Sequence, residues 1–274
     1  MFQFNDKFFL NGVFRIFAIL KKEVHLPKIG SMANALVVIP TYNEIDNIEK
    51  IVRNIFSLQK QFHVLVVDDN SPDLTALKVK ELMEEFPKQL FLEQRTGKLG
   101  LGSAYILGFK WALQGKYEFV FEMDADFSHN PNDLIRLYNA CHKEGNDVAI
   151  GSRYKTGVNV VNWPMSRVLM SWLASKYVRF ITQMNIYDTT AGFICYRRSV
   201  LEKINLDKIQ FMGYAFQIEM KYKAYLSKFK IVEVPVVFTD RTKGESKMSK
   251  GIISEAIFGV ISMRIKSLFK KLDI

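Results

Sequence analysis

The sequence has little cysteine and no long apolar run. Only Cys141 and Cys195 occur among the 274 residues, and neither has metal-ligand spacing, which argues against a disulfide framework and favours a reduced compartment. The apolar segment from Phe8 to Leu20 carries Asn11 and Arg15, and it is shorter than the roughly 20 residues that a membrane-spanning helix needs. No basic start or small-residue cleavage site marks a signal peptide.

Residues 1–31 are therefore interpreted as an N-terminal extension. Two interpretations of it stay open. It is an interfacial helix, or it lies upstream of the true start, because Met32 directly precedes the first predicted strand.

Acidic residues are in the minority. The chain has 38 basic and 28 acidic residues and a formal charge of +10, which indicates a polyanionic partner such as nucleic acid, an anionic membrane or a phosphorylated substrate. No nucleic-acid recognition motif is present, so we expect no nucleic-acid partner. About half of the residues are apolar, enough for one large α/β domain with appendages or for two small domains.

Apolar strands alternate with helical patterns in the first half of the chain. Strands are predicted near residues 35–39, 63–67, 90–93, 119–123 and 147–150, with helices near 45–56, 75–85, 103–113 and 131–144. Acids follow several of the strands. This order predicts a mostly parallel, Rossmann-like sheet flanked by helices.

The stretch from Tyr117 to His129 is the most informative one. A buried strand ends in Asp124 and Asp126, at the sheet edge where ligands of α/β folds bind. Two carboxylates this close repel unless a cation lies between them, and Mg²⁺ or Mn²⁺ would leave positions open for a diphosphate. The alternative is a solvated turn before a helix N-terminus, but the second acid pair, Asp68 and Asp69, favours the metal.

Other residues near this stretch carry weaker predictions. The glycine-rich basic loop from Arg95 to Gly102 could present backbone donors to an anion, although it matches no standard phosphate motif. Glu118 and Glu122 are expected to face solvent or lie at the strand start. His129 is expected in a turn or cap rather than on a metal. Three aromatic residues could line a lipid groove, but core packing is the preferred interpretation: Phe211, Tyr214 and Phe216.

The segment from Ile252 to Phe269 has apolar residues at i, i+3 and i+4 spacing, with basic residues at its end. This pattern is typical of an amphipathic helix. The helix lies on a membrane or packs on the core, and the pattern does not decide between the two.

Seven short motifs occur in the order and spacing of one family. They are Pro40-Thr-Tyr-Asn-Glu44, Val67-Asp-Asp-Asn-Ser-Pro-Asp73, Leu99-Gly-Leu-Gly102, Met123-Asp-Ala-Asp126, Gly151-Ser-Arg-Tyr154, Asn162-Trp-Pro164 and Gly244-Glu-Ser-Lys247. From about Ala35 to Phe269 the chain resembles the polyprenol (dolichol) phosphate mannose synthases, which are inverting family 2 glycosyltransferases with a GT-A fold. The resemblance implies a GT-A domain over residues 32–250, and the apolar spacing described above predicts an amphipathic C-terminal helix over 251–274.

The resemblance also implies roles for residues that bind the donor. Asp124, Asp126 and Ser128 match a site for Mg²⁺ or Mn²⁺, and Asp126 matches its direct ligand. The remaining residues implied in donor binding are Pro40, Tyr42, Glu44, Val67, Asp69, Ala125, Arg241 and Lys247.

Arg153, Arg167 and Ser171 match positions that meet the acceptor phosphate. Asp126, Arg153 and Arg241 are the residues implied in catalysis. One departure concerns Leu74, which stands where many relatives have glycine, and it bears on the geometry of that turn.

The implied reaction moves mannose from GDP-mannose to a polyprenyl or dolichyl phosphate. The implied location is cytoplasmic, on the cytosolic face of a membrane, with contact through surface helices or an anchoring subunit. Two alternatives stay open: the same reaction with a UDP-linked glucose or N-acetylglucosamine, and a non-catalytic subunit that binds nucleotide or lipid.

Overall fold

A computed structural model describes residues 34–240 and 250–269; for residue 214 and residues 250–256 it describes the backbone alone. Its core is a seven-stranded sheet in the order β3-β2-β1-β4-β7-β5-β8. The strands are β1 (Ala35–Thr41), β2 (His63–Asp68), β3 (Leu90–Gln94), β4 (Phe119–Glu122), β5 (Val148–Ser152), β7 (Ile194–Arg197) and β8 (Ile231–Pro235). A separate two-stranded sheet pairs β6 (Val160–Val161) with β9 (Phe238–Thr239).

The described helices follow the strands in the alternation that the sequence predicts. In chain order they are α1 (Ile45–Phe56), α2 (Thr75–Glu85), α3 (Leu101–Gln114), α4 (Asp133–His142), α5 (Met165–Thr182), α6 (Arg198–Lys203), α7 (Tyr214–Leu226) and α8 (Lys250–Leu268). A short 3₁₀ helix spans Leu206–Lys208.

The mostly parallel sheet confirms the predicted fold class. β1 pairs in parallel with both β2 and β4, and β5 pairs in parallel with β8. β7 is the exception, because it runs antiparallel between β4 and β5. All the parallel strands therefore end at the same edge, and the segment before β7 enters the sheet at that edge.

Both faces of the sheet are buried. In β1, Leu36 and Val38 belong to one apolar core, and Val37 and Ile39 belong to a second core on the other face. Alternate side chains point to opposite faces of a strand, so a continuous apolar run such as Ala35–Ile39 fits a strand with helices on both sides. The predicted strand over residues 35–39 has apolar residues at every position because both of its faces are buried.

Helix α8 packs on the core with one side only. Val260 and Met263 are buried, and the Tyr222 hydroxyl lies 2.7 Å from Ser267 Oγ. Phe258, on the same helix, is 71% exposed. The predicted C-terminal helix is therefore present, with one face on the core and another, which carries exposed apolar residues, left uncovered.

Residues 34–240 and 250–269 contain no helix that has both the length and the apolar character needed to cross a bilayer. The predicted boundaries after residues 31 and 250 stay predictions.

Leu74 has a left-handed backbone, with φ 70° and ψ 18°, and its side chain is largely exposed. A non-glycine residue pays about 1–2 kcal/mol in this region, partly offset by the greater freedom of glycine in the unfolded chain. We predict that Leu74→Gly raises the free energy of unfolding by roughly 0.5–1 kcal/mol. Urea denaturation followed by circular dichroism measures this.

Leu77→Gly is the matched control, because Leu77 is also exposed but lies inside α2. Glycine in a helix interior costs roughly 1 kcal/mol, so the two changes should shift stability in opposite directions. A loss of stability in both variants would contradict the strain at Leu74.

Candidate active site

The predicted site residues gather at the carboxyl edge of the sheet. Thr41 at the end of β1 is in register with Asp68 at the end of β2, and Val38 is in register with Glu122 at the end of β4. Parallel strands bring the loops that follow them to one edge. The segments after β1, β2, β4 and β5 therefore meet there, as the sequence predicts.

Asp124 is held from two directions. The Tyr105 hydroxyl donates to Asp124 Oδ1 at 3.2 Å, and the Asp124 backbone N–H donates to His129 Nδ1 at 3.1 Å. Tyr105 is fully buried in α3 and stacks on Phe216 at 6.1 Å. These two contacts orient one carboxylate oxygen of Asp124 and the backbone that carries it.

His129 is a buried cap of this turn. Its ring stacks on Phe193 at 4.8 Å, and burial lowers its pKa to about 4, with the charge of Arg153 acting in the same direction. The ring is therefore neutral near pH 7, as acceptance of the Asp124 N–H by Nδ1 requires. The predicted turn or cap role agrees with this position.

The turn from Asp126 to Ser128 orients two further oxygen atoms. The Ser128 N–H donates to Asp126 Oδ1 at 3.0 Å, and Phe127 between them has φ 61°. Ser128 is buried, and its Oγ has no hydrogen-bond partner among residues 34–240 and 250–269. A buried hydroxyl of this kind suits a ligand that arrives from outside the protein.

The prediction for Glu122 is wrong, because its side chain is fully buried. Burial raises the pKa of Glu122 to about 8, and its Oε2 accepts a hydrogen bond from Gln217 Nε2. The buried Lys221 Nζ donates to the backbone oxygen of Ala191 at 2.6 Å. By contrast, Glu118 pairs with Arg197 and is about half exposed, as predicted.

Of the three aromatic residues predicted to pack in the core, Phe216 is fully buried and Phe211 packs against the same cluster in part. The side chain of Tyr214 lies outside the described part of the chain.

The loops after β1 and β2 are tied together by side-chain hydrogen bonds. Thr41 Oγ1 donates to Asp68 Oδ1 at 2.9 Å, and the Glu44 N–H donates to Thr75 Oγ1 at 3.0 Å. The Lys98 Nζ, from the glycine-rich loop, lies 4.9 Å from the centre of the Tyr42 ring. Tyr42 and Glu44 are thus held on one side of the cleft edge.

Arg95 is a functional candidate that the sequence analysis did not single out. It forms a buried ion pair with Asp69, and its Nη1 donates to Ser103 Oγ at 2.6 Å. The basic, glycine-rich character of its loop was the available signal. This contact links the loop to the predicted donor residue Asp69.

The end of β5 carries a buried ion pair. Arg153 donates to Asp188 through its backbone N–H at 2.9 Å, Nε at 2.7 Å and Nη2 at 2.6 Å. Burial alone would raise the pKa of Asp188, but the charge and hydrogen bonds of Arg153 outweigh it and lower that pKa. A pair with this many bonds fixes the guanidinium group in place.

Glu233 on β8 holds the chain on both sides of this pair. Its carboxylate accepts hydrogen bonds from the backbone N–H groups of Tyr187 and Asp188 and from Ser152 Oγ, each at 2.8 Å. Sequence analysis missed both acids, Asp188 and Glu233.

Arg167 lies on the first turns of α5 and pairs with Asp240 at 2.6 Å. Ser171 follows four residues later, on the same side of the helix, and is half-buried. Arg167 and Arg153 both lie over the ring of Trp163, at 3.9 Å and 5.5 Å from its centre to Cζ. The structure therefore brings the two predicted acceptor arginines together.

The remaining predicted residues divide into two groups. Pro40 and Val67 lie near the ends of β1 and β2, and Ala125 lies between the two acids that follow β4; Val67 and Ala125 are buried. Arg241 and Lys247 lie outside the described residues. In the described ranges no group of three or more His, Cys, Asp or Glu side chains could hold a metal ion.

Comparison with known proteins identifies related sequences. Residues 36–205 match Glycosyl transferase family 2. The chain is 47% identical over 231 residues to a polyprenol monophosphomannose synthase of Mycolicibacterium smegmatis, covering 84% of this chain and 87% of that one. It is 44% identical over 225 residues to an undecaprenyl-phosphate mannosyltransferase of Micrococcus luteus, covering 82% and 91%.

Solved structures share the fold at low sequence identity. One is a glucosyl-3-phosphoglycerate synthase of Mycobacterium tuberculosis with Mn²⁺, UDP-glucose and phosphoglyceric acid, with TM-score 0.60, 15% identity and coverage of 84% and 79%. Another is a mannosyltransferase of Pyrobaculum calidifontis with GDP-Man and Mn²⁺, with TM-score 0.54, 18% identity and coverage of 95% and 81%.

Proposed function

This chain belongs to glycosyl transferase family 2, and on that premise we propose that it transfers mannose from GDP-mannose to a polyprenyl or dolichyl phosphate. The observation that carries the proposal is the 47% identity to a polyprenol monophosphomannose synthase over 84% of the chain. The arrangement of acids and arginines at the sheet edge supports it. The product is a polyprenyl phosphate β-mannose.

The donor lies along the ends of β1, β2 and β4 in this proposal. Tyr42, Glu44 and Asp69 face the nucleotide, and Asp124 and Asp126 lie towards the diphosphate. The resemblance implies a role at the diphosphate for Arg241 and Lys247 as well, which lie outside the described residues. Ligand binding at the carboxyl edge of an α/β sheet supports this placement.

The oxygen ligands at the β4 turn fit a hard divalent cation such as Mg²⁺ or Mn²⁺. Asp124, Asp126 and Ser128 would hold it through oxygen atoms, which these ions prefer. The unpartnered, buried Ser128 Oγ supports this assignment. With only two carboxylates, the other ligands would come from the diphosphate and water. When bound, such an ion neutralises charge on the leaving GDP.

Transfer needs positioning more than proton removal. An oxygen of the acceptor phosphate attacks the anomeric carbon, and the bond from that carbon to the GDP oxygen breaks. The phosphate monoester is already ionised near neutral pH, so no general base is required. Arg153 and Arg167 hold the acceptor phosphate, and attack opposite the leaving group inverts α to β.

The experiment that tests the donor compares three nucleotide sugars in detergent with a polyprenyl phosphate acceptor. GDP-mannose should give labelled lipid in the presence of Mn²⁺ or Mg²⁺, whereas UDP-glucose and UDP-N-acetylglucosamine should give little. Transfer from a UDP-sugar alone would overturn the donor. Failure of all three donors would leave a binding subunit as the better hypothesis.

We also propose that the enzyme lies on the cytosolic face of a membrane, through exposed apolar residues of α5 and α8. The two helices touch where the Tyr177 hydroxyl donates to the Ile257 backbone oxygen at 2.9 Å. A lipid acceptor must reach Arg167, at the start of α5. The exposed residues form the bilayer face: Met165, Leu169, Met170, Leu173, Phe180, Phe258, Ile261, Ile265 and Leu268.

Two further features support this location. The formal charge of +10 favours a surface of anionic headgroups. Both cysteines are free and buried, which suits a reducing compartment. An anchoring subunit stays a prediction from the sequence.

Phe258→Glu should weaken binding to vesicles that contain anionic lipid by about tenfold or more. The reason is that a charge replaces an apolar side chain that the bilayer would bury. Flotation of the full chain with vesicles measures this. Leu77→Glu is the control, since Leu77 is an exposed leucine on α2 and should float like the wild type. Equal flotation of the Phe258 variant and the wild type would contradict the bilayer face.

A further inference from the structure

Trp163 is the common platform of the two acceptor arginines. The Arg167 Cζ lies 3.9 Å from the centre of its ring and the Arg153 Cζ lies 5.5 Å from it. Both distances are within the roughly 6 Å over which a guanidinium is attracted to an aromatic face. The ring therefore contacts two like charges, one that directly follows β5 and one in α5. The Arg153 Cζ also lies 5.3 Å from the centre of the Tyr154 ring and 5.5 Å from that of Phe238.

The ring is fixed by the small second sheet. Val160 of β6 is in register with Phe238 of β9, and the Phe238 ring meets Trp163 edge-on at 5.4 Å and 79°. Phe238 also meets the His129 ring edge-on at 5.2 Å. A row of rings thus connects the arginines to the residue that caps Asp124.

Each arginine already has a carboxylate partner, which balances its charge before an acceptor arrives. Arg153 pairs with Asp188, and Arg167 pairs with Asp240. The two guanidinium groups can therefore lie over one ring without strong mutual repulsion. Asp188 and Asp240 orient the two guanidinium groups, and Trp163 is an aromatic ring that both groups contact.

The indole N–H of Trp163 is a hydrogen-bond donor without an acceptor among the described residues. It is buried, and no residue in the described ranges accepts a hydrogen bond from it. A buried donor without a partner is unfavourable, and an oxygen of a bound ligand would satisfy it. An anion beside the arginines would supply that oxygen.

We propose that Trp163 is an acceptor-binding residue. Its ring packs against both Arg153 and Arg167, which Asp188 and Asp240 orient, and its N–H donates to one of the oxygens of the lipid's phosphate group. The inference rests on the proposed function and names the residue that shapes the acceptor site. It assigns a role to the Asn162-Trp-Pro164 motif, to which the resemblance gave none.

The test compares steady-state kinetics of Trp163→Leu, Trp163→Phe and wild type in detergent. The leucine variant loses the ring and the N–H, so its KM for polyprenyl phosphate should rise by about 30-fold. The phenylalanine variant keeps a ring and should show a rise of about three- to tenfold. The KM for GDP-mannose should stay within about twofold for both.

Phe86→Leu is the matched control, because Phe86 also stacks on an arginine, Arg53, at 5.7 Å. Phe86 follows α2 and precedes β3, at the opposite edge of the sheet from the site. Its acceptor KM should equal that of the wild type. Thermal unfolding of all variants checks that they fold.

An acceptor KM of Trp163→Leu within twofold of the wild type would overturn the inference, and so would an equal rise for donor and acceptor. If the leucine variant does not fold, the phenylalanine variant decides by the same criterion. A wild-type enzyme that makes no mannolipid would instead overturn the proposed function. Activity in the wild type therefore separates the two failures.

Discussion

Replacing Asp126 by asparagine should reduce mannosyl transfer by about a thousandfold. The change removes the negative charge that we assign to a divalent cation and the donor diphosphate. The amide oxygen of asparagine can still accept the hydrogen bond that the Ser128 N–H donates to Asp126 Oδ1 at 3.0 Å. The turn should therefore keep its shape while the electrostatic contribution is lost.

Two measurements accompany this prediction. The rate is measured over a range of Mn²⁺ concentrations, and the thermal unfolding midpoint is compared with that of the wild type. Asp207→Asn is the control, because Asp207 is an exposed acid that pairs with Lys110 away from the cleft. Wild-type turnover in the Asp126 variant would remove this residue from the mechanism.

Asp188→Asn should destabilise the protein by about 3–5 kcal/mol. Asp188 is fully buried and accepts three hydrogen bonds from Arg153, so the variant leaves a buried guanidinium without its counter-charge. For a chain of this size the unfolding midpoint should fall by on the order of 10 °C. The acceptor KM should rise as well, because Arg153 loses its fixed orientation.

Asp147→Asn is the control for this change. Asp147 pairs with Arg197 at 3.6 Å and is about a quarter exposed, so its loss should cost less than about 1 kcal/mol. Similar destabilisation in the two variants would mean that the buried pair has no special importance.

The destabilisation should depend on pH in one direction. The pKa of Asp188 is lower in the folded protein than its ordinary value of 3.8. The ionised form of Asp188 therefore stabilises the fold at every pH above the pKa that this residue has in the unfolded chain. The stabilisation is lost as the pH falls through the lower pKa that Asp188 has in the folded protein. The difference between wild type and Asp188→Asn should stay constant from pH 7 to about 5 and shrink below about 4. A difference that grows on acidification would contradict the pairing.

The sequence predicts most elements of the fold because their signals are local. The predicted helix over residues 75–85 agrees with the structure at both ends. The antiparallel insertion of Ile194–Arg197 between β4 and β5 was not predicted. Its pairing partners lie 44 to 78 residues away along the chain. An apolar pattern predicts a strand but indicates neither its direction nor the strands beside it.

The sequence predicted the site residues that directly follow strands. It did not predict the buried polar residues that hold those site residues in place. Helix α7 contains Lys221 and Glu219, whose charge suggests a solvated surface, yet both are buried. Glu122 was assigned to solvent for the same reason. Only tertiary contacts reveal that such charges have partners, since composition assigns charged residues to the surface. Asp188 and Glu233 belong to the same class.

The most direct measurement is the structure of the reaction product. The full chain is incubated in detergent with GDP-mannose labelled with ¹³C at the anomeric carbon, polyprenyl phosphate and Mn²⁺, and the lipid product is analysed by mass spectrometry and NMR. The account predicts one mannose joined through the phosphate, with the β configuration. A product with the α configuration, or the absence of any mannosylated lipid, would contradict it.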